Sequence, residues 1–106
     1  MTTGEVTGHR VAAAADLPPG GSRAYAVGDM QVAVFRLRSG ELRATDAVCP
    51  HAGGPLADGQ TDPTKVVCPL HSYAFSLADG SCHNGDYAVR TYTVREEAGE
   101  IVVECG

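Results

Sequence analysis

The chain predicts an all-β, antiparallel fold, either a sandwich or a small barrel. Three observations carry this. Short runs of β-forming residues recur with turn signals between them. There are 13 Gly and 6 Pro in 106 residues, with no long Ala/Glu/Lys/Leu-rich tract. Residues 89–95 (Val-Arg-Thr-Tyr-Thr-Val-Arg) also alternate at the period of a strand rather than a helix. A chain of this length is expected to form one domain over residues 1–106.

The elements follow in order. Met1 to Gly8 is polar and expected to fray. His9 to Ala15 suits either a short strand or a helical turn. Asp16-Leu17-Pro18-Pro19-Gly20-Gly21 breaks the chain. Ser22 to Val27 reads as a strand, Gly28-Asp29 as a two-residue hairpin turn, and Met30 to Arg38 as the strongest strand, through Val32, Val34, Phe35 and Leu37. Ser39-Gly40 turns the chain and Glu41 to Ala47 brings it back, which makes a three-stranded meander. Further on, Lys65 to Cys68 and Tyr73 to Leu77 are short strands with a turn at Ala78-Asp79-Gly80. Asn84-Gly85-Asp86 turns again. In Val89 to Arg95, Val89, Thr91, Thr93 and Arg95 share one face, and Arg90, Tyr92 and Val94 the other. Glu96 to Gly99 then turns the chain into a closing strand, Glu100 to Cys105.

Composition removes several function classes. The formal net charge is −5, whereas nucleic-acid binding needs clustered Lys and Arg. An acidic surface suits docking onto a basic face of a partner and also favours solubility. No run approaches the ~18–20 apolar residues of a membrane span. The start, Met1-Thr2-Thr3-Gly4-Glu5, lacks the basic and apolar regions of a signal peptide. The expectation is a soluble, cytoplasmic protein. No G-x-G-x-x-G fingerprint is present.

Between the two β-rich halves lies the chemistry. Cys49-Pro50-His51-Ala52-Gly53-Gly54-Pro55-Leu56 and Cys68-Pro69-Leu70-His71 place two Cys and two His in the order Cys-x-His … Cys-x-x-His. Soft thiolates with imidazoles are metal ligands. A closed Cys₂His₂ zinc site is one reading, although zinc modules usually space their ligands as C-x₂₋₄-C and H-x₃₋₅-H. A [2Fe–2S] centre in which two His replace two Cys on one iron is the other, favoured because each arm then straddles the cluster with one thiolate and one imidazole. Gly53-Gly54 allows close backbone approach, and each Cys-Pro stiffens its arm. Pro63 forbids a continuous helix between the arms. Cys82 and Cys105 stand outside the motif and are expected to be thiols in a reducing compartment. His9 and His83 read as surface residues.

These residues resemble the two cluster-binding loops of Rieske proteins, here residues 49–56 and 68–75, and the strand pattern on both sides is similar too. The resemblance implies a Rieske-type antiparallel β-sandwich with a cluster-binding subdomain of two loops. It implies that Cys49 and Cys68 bind the inner iron of a [2Fe–2S] cluster, and that His51 and His71 bind the outer one near the surface, with Leu70 and Tyr73 at the same tip. The respiratory type carries two further Cys, which form a disulfide; Gly54 and Leu70 stand at those positions, so that bridge cannot form. The usual Gly after the second His is Ser72, and Tyr73 and Phe75 stand where that type has a Ser and a Tyr.

The resemblance implies an electron-transfer component working with redox protein partners, with no substrate-transforming site of its own. Two systems compete. In the first, the chain is the small subunit of an assimilatory NAD(P)H-dependent nitrite reductase, whose central and closing strands resemble Gln31 to Arg36 and Asp86 to Arg95. In the second it is the ferredoxin component of a ring-hydroxylating dioxygenase system. A zinc-stabilised interaction module is the third reading.

Overall fold

The computed structural model describes residues 7–27, 30–48, 55–69, 73–83 and 87–105. The expected all-β class is what forms. Among the described residues nine strands run: β1 (Thr7–Ala13), β2 (Ser22–Val27), β3 (Met30–Arg36), β4 (Leu42–Asp46), β5 (Gln60–Thr61), β6 (Lys65–Val67), β7 (Ala74–Ser76), β8 (Thr91–Glu97) and β9 (Glu100–Cys105). Single 3₁₀ turns occupy Ala14–Asp16 and Leu56–Asp58. A six-stranded sheet has the order β1-β9-β8-β4-β3-β2, and a three-stranded sheet the order β5-β6-β7; every pairing is antiparallel.

The meander β2–β3–β4 forms as expected. The Gly28-Asp29 turn lies outside the described residues, but Val27 pairs with Met30, the register a two-residue hairpin requires. β3 ends at Arg36 rather than Arg38. There the Leu37 N–H donates to Glu41 O and the Gly40 N–H to Leu37 O, so the turn begins earlier. The N-terminal expectation needs correcting: Thr7 and Gly8 are strand, not frayed, because β9 offers them a ladder from Thr7↔Cys105 onward. The ambiguous run His9 to Ala15 does both things, strand to Ala13 and then a 3₁₀ turn. The Glu96–Gly99 turn is tighter than expected. Glu97 pairs with Glu100, leaving Ala98 (φ 53°) and Gly99 (φ 79°) as a two-residue turn with both residues left-handed.

β8 begins two residues later than the alternation suggested. Tyr92 and Val94 do pack inward, and Thr91 and Thr93 are exposed. Val89 is buried too, but before the strand and in a different part of the core. No sequence pattern marks β5, since a two-residue strand leaves no periodicity to read.

The core has two parts, and β3 divides them. Val32 and Val34 point to one side, with Leu17, Val27, Ala44, Ile101 and Val103. Ala33 and Phe35 point to the other, with Leu56, Val66, Cys68, Phe75 and Val89. Successive strand side chains face opposite ways, so burial of both faces requires the unbroken apolar run Val32-Ala33-Val34-Phe35. All four are fully buried. In the first part, β3 and β9 share a core although β4 and β8 lie between them in the sheet. The sheet therefore curls, which also brings its edge strands β1 and β2 into contact. The pinch is at β4–β8, which share only Ala44↔Tyr92 and Thr45↔Thr91. The second part joins this frame to the small sheet, and Ser22 Oγ reinforces the joint by donating to Ala57 O.

Candidate metal centre

Of the four expected ligands, Cys49, His51 and His71 lie outside the described residues; Cys68 lies within them. What the structure places is the ground from which both arms rise. Cys68 directly follows β6 and is 1% exposed. Its N–H donates to Tyr73 O at 2.7 Å, so the second arm leaves and returns through a closed neck. The first arm has a similar neck. Val48 bridges Pro55, and the Leu56 N–H donates to Ala47 O at 2.9 Å. Ala47 is itself held to the frame, its N–H donating to Gln31 O at 3.0 Å. Ala47, Leu56, Cys68 and Phe75 belong to one buried cluster, with Tyr73 and Cys82 packed against it. The two arms, twelve residues apart at their necks, thus stand on common ground.

A third neck adjoins them, which the sequence did not signal as part of the site. The Cys82 N–H donates to Tyr87 O, the His83 N–H to Ala74 O, and Ser81 bridges Ala88. The Tyr73 and Tyr87 rings meet edge to face at 5.4 Å and 78°. Tyr73 is half-buried and Tyr87 exposed. Asn84-Gly85-Asp86, the only sequence hint of this loop, lies outside the described residues. Cys82 and Cys105 stand on different parts of the fold, Cys82 bridging Phe75 and Cys105 ending β9.

Between the arms, the chain is shaped by close contacts. Gly59 follows the 3₁₀ turn, and a Cβ there would lie 2.1 Å from Val67 O and 3.1 Å from Leu56 O. Asp62 then organises the turn into β6. Its Oδ1 accepts from the Thr64 N–H (2.8 Å), the Thr64 hydroxyl (2.9 Å) and the Lys65 N–H (2.9 Å), while Oδ2 meets the Lys65 ammonium. Lys65 foremost, then Thr64, holds the Asp62 carboxyl well below the usual carboxylate range. Because its folded pKa is depressed, this carboxylate's stabilisation is complete above the unfolded value of about 4 and fades as pH falls toward the folded one. Asp62→Ala is therefore expected to lower the denaturation midpoint at pH 7, with the gap from the parent narrowing below about pH 4. An equal gap at pH 7 and pH 3 in urea titrations would contradict this.

Among the described residues no three His, Cys, Asp or Glu gather as a metal site; only one expected ligand is among them. The surroundings of that one fit a [2Fe–2S] group. A thiolate is a good iron ligand, and Cys68 is buried at the end of a strand and at the closed neck of its arm, which limits its freedom and its access to water. A shallow depression lined by Asp58, Gly59, Gln60, Val67, Cys68 and Pro69 opens beside it. A separate hollow between β4 and β8, lined in part by Arg43, Leu77, Thr91 and Thr93, brings together no nucleophile and base.

Comparisons with known proteins agree with this arrangement. A family model, the Rieske [2Fe-2S] domain, matches residues 7–96. The backbone superposes with a TM-score of 0.89 on a Mycobacterium tuberculosis protein described as a candidate small subunit of an NADH-dependent nitrite reductase. Identity is 29%, covering 96% of this chain and 97% of that one. It also matches the ferredoxin of carbazole 1,9a-dioxygenase from Nocardioides aromaticivorans IC177, with a TM-score of 0.82, 31% identity, and coverage of 92% and 96%. Cholesterol 7-desaturase nvd of Xenopus laevis is 37% identical over 73 residues; these are 68% of this chain but span only 16% of that relative's length.

Proposed function

This chain belongs to the Rieske [2Fe–2S] family, and from that membership we propose that residues 1–106 act as one domain, the small subunit of an assimilatory NAD(P)H-dependent nitrite reductase. The supporting observation is the backbone likeness over nearly the whole of both chains to the Mycobacterium tuberculosis protein. A second reading, ferredoxin component of a ring-hydroxylating dioxygenase system, is favoured by the 31% identity to the carbazole dioxygenase ferredoxin. On either reading the chain passes electrons between protein partners.

In this proposal Cys49 and Cys68 hold the inner iron, and His51 and His71 the outer one. The bound cluster supplies a one-electron centre whose two imidazoles make it easier to reduce than an all-thiolate cluster. The chain's part is to hold the two arms in register, through the necks at Val48–Pro55 and Cys68–Tyr73, and to exclude water from Cys68. No helix among the described residues is long and apolar enough to cross a membrane, and we place the protein in the cytoplasm with its partners.

Three measurements test this. The purified protein should be brown, with an anisotropic EPR signal on reduction; a colourless protein carrying one zinc would mean an interaction module instead. Phe75 carries no hydroxyl, and Gly54 and Leu70 replace the bridging cysteines of the respiratory type. With fewer donors to stabilise the reduced state, the midpoint should fall near the low end of the range from ~−150 to +300 mV, and a value above about +100 mV would contradict it. Affinity purification from the native host separates the two systems: a sirohaem-containing large subunit supports the first, and dioxygenase α and β subunits the second.

A further inference from the structure

Three residues before Cys49, the frame grips the chain at a point that neither the ligand motif nor the family match assigns. The Asp46 Oδ1 accepts a hydrogen bond from the Tyr92 hydroxyl at 2.6 Å, and its Oδ2 accepts from the Arg90 N–H at 2.9 Å. The Asp46 N–H in turn donates to Arg90 O at 3.0 Å. This side chain does work that the backbone ladder does not, since β4 and β8 share only two residue pairs, and Asp46 lies just beyond the second of them. From Asp46 the restraint runs directly into the first neck: the Ala47 N–H bonds Gln31 O, Ala47 O receives the Leu56 N–H, and Val48 bridges Pro55. The second arm has a shorter route to its own anchor, because Cys68 follows β6 without a break.

We propose that Asp46 and Tyr92 are positioning residues for electron transfer: their hydrogen bond, with the Arg90 backbone, locks the first ligand arm to the frame and so sets its place relative to the second. A charge-assisted bond between two half-buried side chains is stronger than the neutral backbone bonds around it. Its loss should therefore loosen the neck before it unfolds the sheet. The proposal rests on the ligand assignment above for its effect on the cluster, but not for its effect on the neck.

The test uses the full chain and two matched variants. Tyr92→Phe removes the donated bond and keeps the ring. Tyr25→Phe makes the same chemical change in the same part of the core, where the hydroxyl is buried with no hydrogen-bond partner among the described residues. Amide exchange is read at Leu56, in the neck, and at Val103, in β9. Tyr92→Phe should speed exchange at Leu56 by roughly tenfold or more while leaving Val103 within about twofold of the parent; Tyr25→Phe should leave Leu56 unchanged. In the loaded protein, Tyr92→Phe should shift the EPR g-values and Tyr25→Phe should not. Equal exchange at Leu56 in both variants, or acceleration spread evenly over Leu56 and Val103, overturns the clamp. Accelerated exchange with an unmoved EPR spectrum confines Asp46 to stabilising the loop and overturns its role in electron transfer. If the parent carries no iron, the ligand assignment fails, and the exchange measurement still decides the clamp.

Discussion

Cys68→Ala is expected to give a colourless protein that keeps its fold. On the proposed assignment the substitution removes one of the four ligand atoms, and a cluster held by the remaining three would be lost during purification or never assembled. The loss of packing is small by comparison. Cys68 is 1% exposed and shares its cluster with Leu56, Val66 and Phe75, but only one side-chain atom is deleted, a cost of about 1 kcal/mol. That lowers the melting temperature by roughly 4–8 °C in a domain of this size. The comparison must be made between cluster-free parent and cluster-free variant, because a bound group stabilises the folded state by mass action. Iron content near zero with an intact far-UV spectrum is the expected pair of results. A variant that retains iron at the parent's stoichiometry would remove Cys68 from the ligand set.

Gly59→Ala is expected to damage the fold far more, although it adds only a methyl group. The new Cβ would sit 2.1 Å from Val67 O and 3.1 Å from Leu56 O. Neither is a flexible side-chain end. Leu56 O already accepts the Gly59 N–H, closing the 3₁₀ turn, and Val67 lies in β6 opposite Gln60 and Ala74. Relief therefore requires opening the turn or pushing β6 aside. The backbone angle is not at issue, since Gly59 has φ −78°; the demand is purely for space. We expect a loss of about 3 kcal/mol or more, near the upper end for overpacking, against a total of about 5–15 kcal/mol for a domain. The thermal midpoint should fall by at least ~10 °C. Since Cys68 is the next residue after Val67, iron retention should fall with it. A variant within 0.5 kcal/mol of the parent, a shift of about 4 °C at most, would mean that β6 moves away from Gly59 without cost.

The two substitutions mark where sequence and structure part company. Cys68 is legible as a candidate ligand because chemistry announces itself: two thiols and two imidazoles in two short motifs have few uses other than metal binding. Gly59 was not legible. It sits among other polar and small residues, and its role depends on the carbonyl of a residue eight positions later, in a strand whose partner β5 is too short to leave a pattern. Asp46 and Tyr92 were separated by forty-six residues in the same way. The meander β2–β3–β4 was readable, since local hairpins carry their own turn signals. At Thr7 and Gly8 the polar sequence reads as a frayed end, yet both are strand, because the ladder of β1 comes from β9, at the other end of the chain.

The sequence by itself determined the β class and the two short motifs that offer thiols and imidazoles, with the order in which they arrive, since each of these is local: a strand period, a turn dipeptide, a side-chain chemistry. Only the tertiary structure decided which surfaces those elements share. It turned β3 into a wall between two cores, with Val32 and Val34 on one side and Ala33 and Phe35 on the other. It set Ala47 and Leu56, Cys68 and Tyr73, and Cys82 on one buried cluster, and it placed Asp46 where Tyr92 can hold it. These are contacts between residues far apart in the chain, and no local pattern encodes which distant partner a strand or a carboxylate will meet.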